Sequence, residues 1–411
     1  MPEKSVFWEN TRKYSVPLAA VFVYALAVIF LPRKSHDWDA YCWGLWAELI
    51  ANKGLTAVYD AGSPVNYLPL YLYVLKLYAL LVPVKDLFEL SYLLKAFTFL
   101  FDIASALMIV SLVPEKKRRV KLFLFCFLNA GFVYNTLIWN QVDGILACFI
   151  LAAFILAIKQ KLLTSALFAL LAVNLKLQGI VFMPLLFLLW LPQLRIRNTL
   201  FTLLSLPALQ TLIILPYLIH GNAANILDVI SGSVDYYPSL SMNAFNFWHL
   251  IYKGDLMFVK DDGISLAGFS CKQFGLLLFG LSALLVLLPM LLQSWRYLKH
   301  KTKPRYPLQQ MLLTAALCAF FFFYFNTQMH ERYIHPVMLF STALAFAFGH
   351  WRQWLLIGFT YALSLESICH FFFTDSSALV FQPRFLASAY TLGMADLLFL
   401  WFRTKPFKKE S

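Results

Sequence analysis

The chain has 411 residues, 61% of them hydrophobic and 13% charged, with a mean hydropathy of +0.69. Soluble domains run nearer half apolar and a quarter charged, which excludes a water-soluble globule. A formal net charge of +13 would suggest nucleic acid in a soluble protein, but in a chain this apolar basic residues report orientation first, and no nucleic-acid partner is expected.

A transmembrane helix takes about 20 apolar residues. The first span is expected over residues 16–32, uncleaved, because no small-residue cleavage site follows MPEKSVFWENTRKYS. Residues 33–87 are too rich in Trp, Tyr, Gly, Pro and Asp for plain membrane. Within them Leu68–Leu81 is short enough to lie in the interface as a helix. Further spans are expected at 88–113, 120–138 and 144–158, then a hairpin of two short helices over 162–192, broken at Asn174–Gly179. Spans at 199–219, 273–293, 308–326, 336–349, 353–372 and 386–402 complete an all-α, polytopic chain of about twelve crossings, a single membrane domain over 1–411. Cys42, Cys126, Cys148, Cys271, Cys318 and Cys369 stand singly and predict neither a disulfide framework nor zinc.

Most of the 34 Lys and Arg fall on one side of this arrangement: Lys4, Arg12 and Lys13, the run Lys116–Lys121, Lys159 and Lys161, Arg195 and Arg197, Arg296–Arg305, Arg352, and Arg403–Lys409. The positive-inside rule makes that side cytoplasmic, with both termini there. The opposite face carries two long loops, 33–87 and 220–272, and short ones at Trp139–Asp143, Gln328–His335 and Thr374–Arg384. No inverted repeat of the kind many transporters carry is visible.

Candidate chemistry concentrates on the non-cytoplasmic face. Asp37 and Asp39 open a helical pattern that continues through Trp43, Trp46 and Ile50. A carboxylate there suits a general base for a sugar hydroxyl, or caps the helix. Asn135, Trp139, Asn140, Gln141 and Asp143 combine hydrogen-bonding groups with aromatics, the composition a sugar site uses, although any polar turn needs such residues. The segment NTQMHERYIHP compresses His330, Glu331, Arg332, Tyr333 and His335 into one turn, where Arg offers a planar fork for phosphate. A Glu331–Arg332 pair is not expected, because adjacent helical residues diverge. The segment is not HExxH, which excludes a zincin. Lys95 and Asp102, two helical turns apart, are expected to hold helices together. Lys176 at the hairpin break is either a snorkelling anchor or a phosphate ligand. Glu366 and Asp396 stand alone in their spans.

In order, DAYCWGLWAELI with NYLPLYLY, KAFTFLFD, YNTLIWNQVDG, SLSMNAFNFW and MHERYIHP resemble the GT-C fold glycosyltransferases, and more closely the bacterial branch related to the second mannosyltransferase of GPI-anchor assembly. The resemblance implies an inverting hexosyltransferase that takes mannose or glucose from a polyprenyl-phosphate donor on the non-cytoplasmic face of the bilayer. The acceptor would be a glycolipid, a glycan or a protein. It assigns Asp39, seven residues before Trp46, as base with Asp37 as fallback. Arg332, His330 and Lys176 would bind donor phosphate, and Asp143, Gln141, Trp139 and Glu331 the sugar. Asn66 stands where the family has an acid and receives no role, and Lys176-Leu177-Gln178 replaces the family's K-P-Q. No cofactor is expected, although Asp39 and Asp143 leave a shared divalent metal open. A transporter or lipid flippase is the alternative, favoured by the intramembrane charges. A membrane acyltransferase using His330 or His335 is a third reading.

Overall fold

The computed structural model of the protein describes residues 3–60, 62–233, 235–266, 268–375 and 377–405, with side chains from residue 14 onward. The side chains of Lys4, Arg12 and Lys13 and residues 406–411, on which the terminal orientation rests, lie outside the described residues.

The chain is predominantly helical, as a backbone in hydrocarbon must be to satisfy its own N–H and C=O groups. In order come α1 (Glu3–Ile29), α2 (Asp37–Lys53), α3 (Pro69–Leu81), α4 (Leu94–Ser111), α5 (Arg119–Cys126) and α6 (Ala130–Val133). They are followed by α7 (Asp143–Ile158), α8 (Leu162–Leu175), α9 (Met183–Trp190), α10 (Ile196–Ile219), α11 (Ala223–Gly232) and α12 (Phe247–Ile251). A two-stranded antiparallel hairpin, β1 (Ser265–Leu266) with β2 (Phe269–Ser270), interrupts the all-α pattern before α13 (Cys271–His300). The chain ends with α14 (Leu308–Phe325), α15 (His335–Phe348), α16 (Trp351–Cys369) and α17 (Pro383–Arg403).

Among the described residues five helices are long and apolar enough to cross a membrane, or six if one bent pair is a single span, the mark of a multi-spanning membrane protein. The centre of the bundle is α7, buried along nearly its whole length and packed on α4, α8 and α15, with α14 and α15 almost as enclosed. Outside them α10 and α13 leave long side chains such as Leu203, Leu204, Leu281 and Leu284 exposed, a surface suited to lipid.

Residues 120–138 differ from the single span expected of them. Lys116–Cys126 and Ala130–Trp139 meet at 73°. At the corner Asn129 caps α6 by accepting from the Gly131 N–H at 3.0 Å, and its amide donates to the Trp354 carbonyl at 3.3 Å. A Cβ at Gly131 would collide with the backbone of Gly358, so two glycines permit this corner to press against α16. After α6, Tyr134–Trp139 winds as a wider π-helical turn, a form often found at functional sites. Asn140 then ends the turn in a left-handed conformation (φ 74°), with its amide on the Ser91 carbonyl at 3.1 Å.

Candidate functional site

Asp39 lies in the first turn of α2, the positive end of the helix dipole, and is 8% exposed, whereas Asp37 faces solvent. Neither aspartate caps the helix; His36 holds the cap position without a side-chain bond. The Trp139 indole N–H donates to Asp39 Oδ2 at 2.6 Å, and His36 Nδ1 lies 3.2 Å from the same oxygen. The His36 ring stacks on Trp139 at 4.3 Å and 12°, and the His36 N–H donates to the Trp139 carbonyl at 3.1 Å. Burial works to raise the Asp39 carboxyl, but the Arg332 guanidinium, helped by His36, outweighs it and holds the group well below the usual carboxylate range. Asp39 is therefore ionised at neutral pH.

Asp143, in the first turn of α7, joins two cations. Lys176 Nζ is 2.7 Å from its Oδ1, and Arg332 Nε is 3.6 Å from its Oδ2. Lys176 reaches it because the chain leaves α8 at this residue in an extended conformation (φ −149°, ψ 137°), which turns the side chain inward. It is 8% exposed, between the rings of Tyr67 (5.4 Å) and Tyr333 (6.0 Å), and 3.5 Å from Gln141 Oε1. The ammonium is thus a buried partner of Asp143, and the snorkelling reading does not describe it. Arg332 also donates to Glu331 Oε1 at 2.8 Å, contrary to the expectation from helical divergence. The two residues sit in a short 3₁₀ turn, Glu331–Ile334, and their long side chains fold toward each other. Burial, reinforced by Arg332, holds the His330 imidazole well below its ordinary value, so it is neutral near pH 7. Burial likewise raises the Glu331 carboxyl, against the opposing charge of Arg332.

The loop before α13 braces this turn. Met242 N–H donates to the Met329 carbonyl at 2.9 Å, and Gln328 N–H to the Ser239 carbonyl at 3.0 Å. Buried Asp261 accepts from the Thr327 hydroxyl at 2.6 Å and the Gln328 amide at 2.9 Å, while Tyr237 sets its ring edge-on to His330 at 5.2 Å. Asn246 closes the base, donating to the carbonyls of Phe323 (3.0 Å) and Asn326 (3.1 Å).

Two apolar grooves lie near these residues in the fold, one of them sharing Asp143 with the cluster. One is small and is bounded by Asp143, Tyr333, Leu146, Gln178, Phe182 and Phe322, between α7, α14 and the turn before α9. The other lies between α3, α8, α10 and α11, with Leu68, Leu177 and Ile214 among its lining residues and the paired amides of Asn174 and Gln210 facing it.

The structure therefore brings Asp39, Trp139, Gln141, Asp143, Lys176, His330, Glu331 and Arg332 into one buried cluster and leaves Asp37 outside it. His36, Tyr67 and Tyr237 belong to the same cluster and were missed in the sequence; the His36–Asp39 spacing of one helical turn was the available signal. Lys95 and Asp102 do not pair, because Lys95 donates to backbone carbonyls instead. Glu366 and Asp396 are not alone. Glu366 accepts from the Tyr134 hydroxyl and from the N–H groups of Phe372 and Phe373 at 2.7 Å, and Asp396 pairs with Arg352 at 2.6 Å. Among the described residues no three His, Cys, Asp or Glu side chains converge as a metal site. No protein-family model and no curated protein sequence matches the chain.

Proposed function

We propose that the chain is an inverting glycosyltransferase of the GT-C type, with about twelve crossings. Its termini would be cytoplasmic and its site would face the other side of the inner membrane. It transfers mannose or glucose from a polyprenyl-phosphate donor to a glycolipid, glycan or protein acceptor. The observation that carries the reading is an ionised, buried Asp39 coupled to Arg332, in a cluster of opposed charges with a small apolar cavity beside Asp143. Chemistry on a lipid-borne phosphosugar needs these parts together: a slot for hydrocarbon, cations for the phosphate and one base.

In this reading the acceptor hydroxyl attacks the anomeric carbon as Asp39 takes its proton, and the bond from that carbon to the lipid-phosphate oxygen breaks. The departing phosphate gains negative charge next to Arg332 and Lys176. Without donor, Asp143 and Glu331 already match those cations. Donor phosphodiester, with one negative charge, therefore competes with carboxylates for them, and the exchange comes to favour the phosphate as it departs and takes on a second charge. Gln141, Asp143, Trp139 and Glu331 face the sugar, and neutral His330 contributes a hydrogen bond rather than a positive charge. In this scheme the shorter apolar helices, α7, α8 and α15, count as crossings shielded by the longer ones around them.

The test is to incubate purified protein with radiolabelled polyprenyl-phosphate mannose or glucose and a membrane extract. Label on a new acceptor supports the reading. Translocation of the lipid with its sugar still attached would select the flippase alternative.

A further inference from the structure

Lys95, on α4, is fully buried, and its ammonium donates to two backbone carbonyls, those of Pro32 at 2.9 Å and Lys34 at 2.6 Å. A buried ammonium is costly and is ordinarily matched by a carboxylate. Asp102, two turns along the same helix, lies instead against α7, where a Cβ at Gly144 would come within 2.6 Å of its Oδ1. The Lys95 Nζ is directed at main chain. That main chain is the irregular strap between α1 and α2, and it is pinned twice more: the Lys34 ammonium donates to the His370 carbonyl at 2.9 Å, and the His36 N–H to the Trp139 carbonyl at 3.1 Å. Asp39 follows three residues after His36.

The rest of α2 has its own anchorage, with Trp43, Trp46, Ala47 and Ile50 buried. Removing Lys95 would leave that packing in place and loosen the strap that leads into the end of the helix carrying the carboxylate, with the Lys34 and His36 bonds as its remaining ties. An unclamped strap regains the conformational freedom that fixing its backbone removed.

We infer that Lys95 is a positioning residue for Asp39: by clamping the carbonyls of Pro32 and Lys34 it sets where the carboxylate stands relative to Trp139 and Arg332. Its effect on turnover rests on the proposed role of Asp39 as base; its effect on position does not.

The experiment uses the full chain in detergent with ¹⁵N-labelled tryptophan, the Trp139 indole resonance being assigned by its loss in Trp139→Phe. Lys95→Met is expected to move that resonance and to lower turnover about 100-fold with the donor KM unchanged, the scale expected when a reacting group is misplaced by about 1 Å. Lys95→Arg, which still offers two donors, is expected to keep both. A single glycine inserted between Lys34 and Ser35 leaves the clamp intact and lengthens only the path to Asp39; it is expected to reproduce the Lys95→Met result, and it decides the matter if Lys95→Met does not fold. An unmoved Trp139 resonance in Lys95→Met or in the insertion, or an Lys95→Arg variant as impaired as Lys95→Met, would overturn the inference. If the unmodified protein transfers no sugar, the functional reading fails and the resonance alone still decides the positioning claim.

Discussion

The indole of Trp139 donates to Asp39 at 2.6 Å across 100 residues of chain, joining the first turn of α2 to the end of the π-helical turn. This bond fixes one carboxylate oxygen in a buried setting. It also separates Asp39 from Asp37, two residues away and exposed.

Asp39→Asn is expected to lower transfer by about 10²–10⁴-fold, the usual contribution of a general base, while Asp37→Asn leaves it unchanged. Trp139→Phe should cost about 10–100-fold, the equivalent of one hydrogen bond to a charged group. Single-turnover transfer, with donor binding measured separately, checks all three; wild-type turnover in Asp39→Asn would eliminate it as base.

Removing one partner of the buried Lys176–Asp143 pair strands the other. Lys176→Met is expected to destabilise the protein by about 3–5 kcal/mol, whereas Lys176→Met with Asp143→Asn costs less than the lysine substitution alone. Thermal unfolding in a fixed detergent measures the cycle. A double variant less stable than Lys176→Met would show that the pair is not the unit that matters.

The pH dependence of stability has two windows. The depressed Asp39 carboxyl stabilises the fold fully above its unfolded value of about 4, and that contribution is lost as pH falls toward the folded value. The stability gap between wild type and Asp39→Asn should be constant from about pH 8 to 5 and narrow below about pH 4. His330 is buried neutral, so the unfolded chain binds its proton first, and stability is lost as pH falls through about 6.5. His330→Gln should reduce that slope by one proton's share, the other buried histidines supplying the rest, as followed by melting temperature against pH.

Gly131→Ala puts a methyl group into the backbone of Gly358, and the expected cost is about 1–3 kcal/mol, typical of overpacking. A stability equal to wild type would mean that the corner between α5 and α6 yields easily. Because this corner leads into Trp139, a reduced turnover should accompany the loss.

Some of this was legible in the sequence because composition changes where the structure does. Polar aromatic runs mark 33–87, and the break at Lys176 interrupts an otherwise continuous apolar block. The corner at Asn129 was not legible, because Asn129 is one polar residue in the otherwise apolar run 122–133 and a cap with a glycine contact leaves little hydropathy signal. Lys95 misled for a different reason: side-chain spacing reveals side-chain partners, and its partners are carbonyls. The Glu331–Arg332 pair was missed because the divergence rule holds for an α-helix, and the motif is wound as a 3₁₀ turn. His36 was overlooked just before Asp37 and Asp39, which drew attention as the acids.

The break after α8 has a consequence for length. Lys176 faces the cluster, Leu177 lines one groove and Gln178 lines the other, so three consecutive side chains serve three compartments. Gly179 folds back so closely on Ala172 and Val173 that a Cβ there would sit 3.1 Å from their backbone. A turn between helices ordinarily accepts an added or deleted residue. Here a shift of one position would carry the cation out of reach of Asp143 and put a side chain where only Gly179 fits against Ala172 and Val173.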